Sequence, residues 1–478
     1  MKLSRRTLLV NSAALAATVA GRRLFAVART DGAQAQAPPK AAPAALPDAV
    51  AETIAKLADP ELRAGVTAAI EKNLRPAAVQ EAYPGFFNIC ADGGAYGGSA
   101  TWPGLDSWQM AGAYLLLGRT QLVLDYFEFV KASQRKNGDL PFAIFTGETR
   151  GDGGFLSGLK NPEDLFTYTP PQRDGVPASA RETRQWVGLF THWQPKAESL
   201  STLGSVCYVL TAAEIFDTTQ DRAWLTARLP SLAAAANFLR GRIAANGLVA
   251  RSGFYCELPP RLGFDGVAQC YVVHAWRELA RLFAAAGDAK SAATWNGEGE
   301  RLASAFVAAF WRDDHFGEYV HPERGLVDAH GLSDVNWAAL ALGVADDAQA
   351  GKVWSRLVAD PGFWWGGMPT LTVTKPFSYE PWENHEPVPM AVPEMNDVAS
   401  MGRVWHLEAR ACRRMKAHQR LVESTRRVCA AAKSDGFWRE RYHPQADGTT
   451  TPAGAQKYCE YPAVLLRVVL GNAELFAK

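Results

Sequence analysis

The strongest constraint on the fold of this chain is the rhythm of its connections. Helical stretches, with apolar residues recurring at the helical period, fall in pairs at residues 104–118 and 120–137, 197–216 and 222–246, 266–286 and 290–310, 332–342 and 346–358, and 399–416 and 419–434. Turns inside a pair are short and carry helix-stop signals such as Gly287-Asp288, whereas the segments between pairs are long. One helix, at 48–73, precedes the pairs and one, at 459–470, follows them. Twelve helices thus make five consecutive hairpins and a sixth from the first and last helices. An α-solenoid has a similar helix count. A closed ring puts every long segment at one end, and that is the alternation seen here. The expectation is an all-α toroid of six helical hairpins with long functional loops at one end. Strand signals are few, and 370–374 is the clearest.

The segment ahead of the ring differs. Ser4-Arg5-Arg6-Thr7-Leu8-Leu9 resembles a twin-arginine export motif, and the apolar run after it, from Leu8 to Ala20, is too short to span a bilayer. Cleavage sites are available after Ala26-Val27-Ala28 and among the Ala-Gln-Ala triplets at 33–37. Residues 1–37 are therefore assigned as export signal and cleavage region, 38–47 as a Pro/Ala-rich tether and 48–478 as the ring, with the bacterial periplasm as the expected destination. No later run approaches the length of a membrane span, so no stable insertion is expected after signal removal. A net charge of +1 excludes the basic face of a nucleic-acid protein, and 48% hydrophobic residues supports a large core. None of the seven cysteines has Cys-x-x-Cys or zinc-type spacing, and no cofactor motif is present. In an oxidising compartment Cys256 and Cys270 are the first pair to test for a disulfide.

Acids and aromatics concentrate in the inter-pair segments. Asp106 lies between Trp102 and Trp108, where it either caps the following helix or sits ionised at a helix start, able to accept from sugar hydroxyls. Trp193 and Gln194 precede another helix and suit a polyhydroxylated ligand. Glu257 sits between Tyr255-Cys256 and Pro259-Pro260, an apolar setting that raises a carboxyl pKa toward proton donation near neutrality. Arg261 is its available ion partner, and Asp265 is either a second candidate acid or the cap of the next helix. Trp382 and Glu383 lie in an acid-rich loop. Glu440 stands between Trp438 and Tyr442 at a helix–loop junction, just before a Gly/Pro-rich loop. Fifteen tryptophans are many for this length. Stacking on sugar rings is one use for them, and core packing is expected to take more than half.

The segments that carry these residues resemble the six-hairpin, (α/α)6-barrel glycoside hydrolases, a group that includes trehalases, processing α-glucosidases with mannosylglycerate hydrolases, and α-L-rhamnosidases. Leu105-Asp106-Ser107 with its flanking tryptophans looks like the family's Trp-Asp motif, which implies that Asp106 contacts the sugar at the cleavage subsite. Ser252-Gly253 through Pro259-Pro260-Arg261 looks like the segment that holds the general acid. Aligned on Arg261, Glu257 takes the place of the family's Asp, with Cys256 in place of its Trp and two extra residues after Gly253. Glu440-Arg441-Tyr442-His443-Pro444 with Gly454-Ala455-Gln456 matches the Glu-x-Tyr-x-Pro…Gly-Ala motif, whose Glu is the general base. The resemblance implies an exported hydrolase acting on an oligosaccharide or glycoside by inversion, without a cofactor. Glu257, or else Asp265, is the acid and Glu440 the base, with carboxyls ~6.5–9.5 Å apart.

Two other classes fit a helical toroid. A polysaccharide lyase or sugar epimerase leans on His, Tyr or Arg, for which His192, His274, His385, His406 and Tyr379 are the candidates. A non-catalytic carbohydrate-binding ring needs none of them.

Overall fold

In the computed structural model the described residues are 46–477 apart from 79–82, 84, 92–99, 105, 147–163, 173–175, 177, 191–201, 252–260, 368–371, 377, 384–398, 434, 446 and 448. The chain starts with α1 (Asp48–Lys56) and α2 (Pro60–Ala68), which runs on through a π-helical turn at Ala69–Leu74. Five hairpins follow: α3 (Ser107–Leu116) with α4 (Thr120–Ala132), α5 (Leu203–Thr219) with α6 (Arg222–Arg240), α7 (Gly266–Ala286) with α8 (Ala289–Phe310), α9 (Asp334–Ala341) with α10 (Asp347–Ala359), and α11 (Gly402–Arg414) with α12 (His418–Ala432). Last come α13 (Glu460–Leu470) and the single turn α14 (Ala473–Phe476).

The leading helix of each hairpin packs on the leading helix of the next, and α13 packs on both α11 and α3, so the inner ring is closed. The helix α2 and its π-turn lie against α13, and α2 also meets α12, which makes the sixth hairpin from the two ends of the chain.

Sequence dictates which helix is inside. From Leu203 to Ala213 every residue of α5 is buried and none is charged, the pattern of a helix surrounded by protein. In α8 the buried residues Trp295, Gly299, Leu302, Ala303, Phe306 and Phe310 make one stripe, and polar residues cover the rest, as suits an outer helix. Capping fixes the hairpin turns. Asp265 accepts from the backbone N–H groups of Val267 and Ala268 to start α7, Gly287 at φ 92° ends it, and Asp288 caps α8.

The structure departs from the sequence reading in two ways. The expected single helix at 48–73 breaks between Lys56 and Pro60. Asp59 accepts from the backbone of Glu61 and Leu62 with Pro60 at the first helical position, so a new helix starts there. The loop end also carries more β structure than its residues signal. In one antiparallel sheet β1 (Ala100–Thr101), β2 (Ala143–Thr146), β4 (Arg184–Leu189) and β3 (Leu165–Tyr168) lie in that spatial order. A second joins β5 (Phe264–Asp265), β6 (Tyr319–His321) and β7 (Gly325–Val327). A third joins β8 (Ser400–Met401), β9 (Arg439–Pro444) and β10 (Thr450–Gln456). Most of these strands are too short to print an alternating pattern. In the 370–374 stretch, Val373 makes an isolated bridge with Ser333. Cys270 is a buried free thiol, whereas Cys256 lies outside the described residues. No helix among the described residues is long and apolar enough to cross a membrane.

Candidate active site

In the five sequential hairpins each inner helix is followed by a short turn and its outer partner, and α13 enters from β10, so the inner helices start at the loop end. Their unsatisfied N–H groups and dipoles make that rim favourable for anions. Four acids stand there: Asp106 and Asp265 directly before α3 and α7, Asp334 and Glu460 as the first residues of α9 and α13.

Glu440 is placed by the third sheet. Its strand β9 pairs with β8 on one side and β10 on the other, which corrects the expected helix–loop junction to a strand. Opposite Glu440 the β9–β10 register slips between Ala453 and Gln456. This bulge, with Gly454 at φ 68°, frees the Ala455 N–H to donate to Glu440 Oε2 at 2.9 Å. The Arg441 guanidinium lies 3.7 Å from the other carboxyl oxygen. The side chain is 7% exposed. Behind it, Asn73 in the π-helical turn donates to the carbonyls of Trp438 and Tyr458 and accepts from the Trp438 N–H, tying the start of β9 to the segment after β10. Such π-turns recur at functional sites.

Asp106 is not a helix cap, because its side chain makes no capping bond. It accepts from the Tyr458 hydroxyl and lies 3.8 Å from the Arg403 guanidinium. Arg403 Nε in turn reaches both oxygens of Glu460, at 3.1 and 3.3 Å. All four groups are buried. Burial pushes the pKa of Asp106 up, and the nearby Glu440 charge adds to that. Burial also pushes Glu460 well above the usual carboxyl range. Arg403, Tyr458 and Glu460 were not singled out in the sequence. The signal for Glu460 was a lone acid opening the otherwise apolar run Tyr461–Leu466.

A second buried cluster forms the wall between α7 and α9. Arg261 donates to Glu318 at 2.7 Å and Asp334 at 2.6 Å, and lies 3.7 Å from Asp265. His330 bridges Glu318 and Glu383, while the Tyr319 hydroxyl and the Glu380 N–H also donate to Glu383. Burial alone would discharge Glu318, Glu383 and His330, but these three hold each other ionised, with Arg261 adding to the hold on Glu318. Arg261 and His330 bring Glu318 down to about 2, and the two carboxylates raise His330 to about 10. Glu318 and His330 are further residues that the sequence reading missed.

The remaining sequence candidates divide by location. Glu257, Trp193, Gln194, His192 and His385 lie outside the described residues. Asp265 is occupied as the cap of α7, at 2.7 and 3.2 Å from two backbone N–H groups. Trp108 is buried around the ring axis, its indole N–H on Glu214 and its ring edge-on to Tyr271 and His406. Trp102 packs on Phe142 and Phe145. Trp438 donates to the Gly65 carbonyl and stacks on Tyr461, which Tyr442 also contacts. These four rings are buried among the described residues. Trp382 is half-buried between His321 and the Arg324 guanidinium, and Glu383 is committed to His330. Burial drives the pKa values of His274 and His406 well below the ordinary histidine range, and Arg410 lies beside His274. The Tyr379 ring lies tilted against His330, with ring centroids 4.3 Å apart. Among the described residues no group of His, Cys, Asp and Glu is arranged to hold a metal ion.

Sequence comparison finds no matching family model and no matching curated protein. Solved structures do match. The chain is similar to a GH78 family rhamnosidase of Bacillus sp. GL1, with TM-score 0.57 and 14% identity over 87% of this chain and 35% of that one. It is similar to the GH63 mannosylglycerate hydrolase from Thermus thermophilus in complex with glucose, with TM-score 0.56 and 15% identity over 84% of this chain and 98% of that one. It is also similar to a rhamnosidase from Klebsiella oxytoca with rhamnose bound, with TM-score 0.55 and 14% identity over 86% of this chain and 64% of that one. The chain thus spans about a third of the length of the Bacillus enzyme and nearly all of the Thermus one. At these identities the likeness is one of fold: the chain has the six-hairpin (α/α)6 toroid of these glycosidase-type structures.

Proposed function

We propose that this protein is an exported glycoside hydrolase that cleaves a glycosidic bond with inversion, Glu440 acting as general base and Glu257 as general acid. The observation that carries the reading is the seat of Glu440. A carboxylate is aimed by a β-bulge and a backbone N–H at the anion-favouring rim of a closed helical ring, beside Asp106. One oxygen accepts from the Ala455 N–H and the Arg441 guanidinium lies 3.7 Å from the other, so the carboxylate is held in place for a role as general base. The capping role of Asp265 favours Glu257 over it as the acid. The three solved structures named above are of glycosidases, which supports the same class, and the twin-arginine-like segment supports export to the periplasm.

The test is a screen of the purified protein on aryl glycosides and oligosaccharides, followed by NMR resolved for the anomer. The first-formed product is expected to have inverted configuration. Glu440→Gln is expected to lower kcat by about 10²–10⁴-fold while sugar binding persists. Retention of configuration overturns the mechanism. An unsaturated product absorbing in the ultraviolet assigns the ring to a lyase instead.

A further inference from the structure

The ring wall is uneven at the end away from the long loops. The inner helix α9 has 8 residues, against 21 in α7 and 13 in α11, so its neighbours run on past its end. Arg410 of α11 leans across that gap. Its Nε donates to the carbonyl of Ala341, the last residue of α9, at 3.4 Å, and its Nη2 lies 3.5 Å from His274 Nε2 on α7. Both contacts are at the outer limit of a hydrogen bond. The end of α9 does not depend on them. Arg414 donates to the Leu340 and Ala345 carbonyls at 3.0 and 2.8 Å, and Arg277 to the Gly343 carbonyl at 2.9 Å.

The acids near Arg410 are taken. Glu214 of α5 accepts from Arg467 at 2.9 Å and from the Trp108 indole at 2.7 Å. Glu278, one turn beyond His274 on α7, is paired with Arg281 at 2.7 Å. Among the described residues no carboxylate stands within ion-pair distance of Arg410, whose two printed contacts are those to Ala341 and His274. A cation set into a protein wall without a counter-charge is costly. A second group faces the same place. His406 stands four residues before Arg410, on the same face of α11. It is 4% exposed, its ring is edge-on to Trp108 with centroids 5.4 Å apart, and its Nε2 has no hydrogen-bond partner among the described residues. Burial holds both imidazoles neutral, so Arg410 carries the charge of the group. An added Cβ on Gly112 would run into Arg467 and Glu214, so the axis is narrow here and suits a small ligand. Arg410 and His274 are half-buried, which gives such a ligand a way in.

We propose that Arg410 and the Nε2–H of His406 bind a monovalent inorganic anion of the chloride type on the ring axis, where α9 stops. One positive charge calls for one negative charge, and both groups offer N–H donors, which an anion accepts from and a cation cannot use. The site lies about 12 Å from the rim, eight residues down α7 and α11 at 1.5 Å each, and it stands whether or not Glu440 is a base. An anion there ties α11 to α7 across the end of α9, so its binding stabilises the ring.

The experiment is chloride NMR and melting of the full chain, with chloride replacing methanesulfonate at constant ionic strength. Wild type is expected to broaden the chloride line and to melt at a higher temperature in chloride. Arg410→Gln is expected to lose both effects, whereas Arg281→Gln, which removes an arginine already paired with acids, keeps them. Equal broadening and equal chloride dependence of melting in wild type and Arg410→Gln overturn the site. Wild-type crystals grown in bromide give a reading that needs no variant to fold. An anomalous peak between Arg410 and His406 Nε2 is expected, and bromide found only elsewhere, or nowhere, overturns the proposal.

Discussion

Gly454→Ala is the sharpest probe of how Glu440 is held. A Cβ built on Gly454 falls 2.3 Å from Glu440 Oε2, 2.8 Å from its Cβ and 2.9 Å from its Cδ. Ordinary contact begins at 3.4 Å, so the carboxylate must retreat by about 1 Å (3.4 minus 2.3), away from the Ala455 N–H. A misplacement of ~1 Å at a catalytic group is enough for about a 10²-fold loss of rate. The substitution has a second cost, because φ is 68° and a left-handed alanine is unfavourable by roughly 1–2 kcal/mol. Gly436→Ala separates the two. Its φ is 69°, and an added Cβ meets nothing within 4 Å. Both variants should lose thermal stability in calorimetry, Gly454→Ala at least as much as Gly436→Ala, whereas only Gly454→Ala should lose about 10²-fold in kcat. Equal kcat in the two variants would refute the claim that the bulge aims the base.

Three further outcomes follow from the same geometry. Asp265→Asn keeps a good helix cap but takes a buried carboxylate away from Arg261, 3.7 Å distant, so melting should fall by more than a cap exchange alone while turnover, scored by kcat, is retained. Glu257→Gln should instead slow substrates with poor leaving groups far more than activated aryl glycosides, and a uniform loss would count against an acid role. His330→Gln removes the cation between Glu318 and Glu383 and should destabilise by at most about 3 kcal/mol, the scale set by the fall of Glu318 from 4.5 to about 2. His330 is raised in the folded state, so its contribution is full below about pH 6.5 and lost as pH rises through about 10; Glu318 is depressed, so its contribution is full above 4.5 and lost as pH falls toward 2. Melting curves of wild type and His330→Gln should therefore be furthest apart near pH 5–6 and converge near pH 10.

The ring was legible because helix periodicity and caps are local. Asp265 and Gly287 bracket α7 at 266–286, the span that the sequence predicts. The signal for splitting the first helix, Asp59-Pro60, was equally local but was outweighed by the continuous apolar stripe around it. What a sequence does not print is direction. Trp108 and Trp438 stand beside Gly, Pro or acidic residues just as sugar platforms do, yet both turn into packing. Glu440 was found through a motif, while its supports, Asn73, Arg403 and Glu460, lie tens to hundreds of residues away in the chain and become visible only when the helices are closed on one another. The His330 bridge was hidden for the same reason, since its two carboxylates come from different segments flanking α9 and α10.

The clamp that Asn73 makes has a bearing on when the seat of Glu440 is complete. Its three bonds join a helix at the start of the chain to residues 438 and 458, spans of 365 and 385 positions. Contacts of that separation form late, after nearly the whole polypeptide has been synthesised and collapsed. A nascent or truncated chain can form hairpins from α3 to α12 and still lack the latch behind the base. Under the role proposed for Glu440, activity is then coupled to completion of the ring.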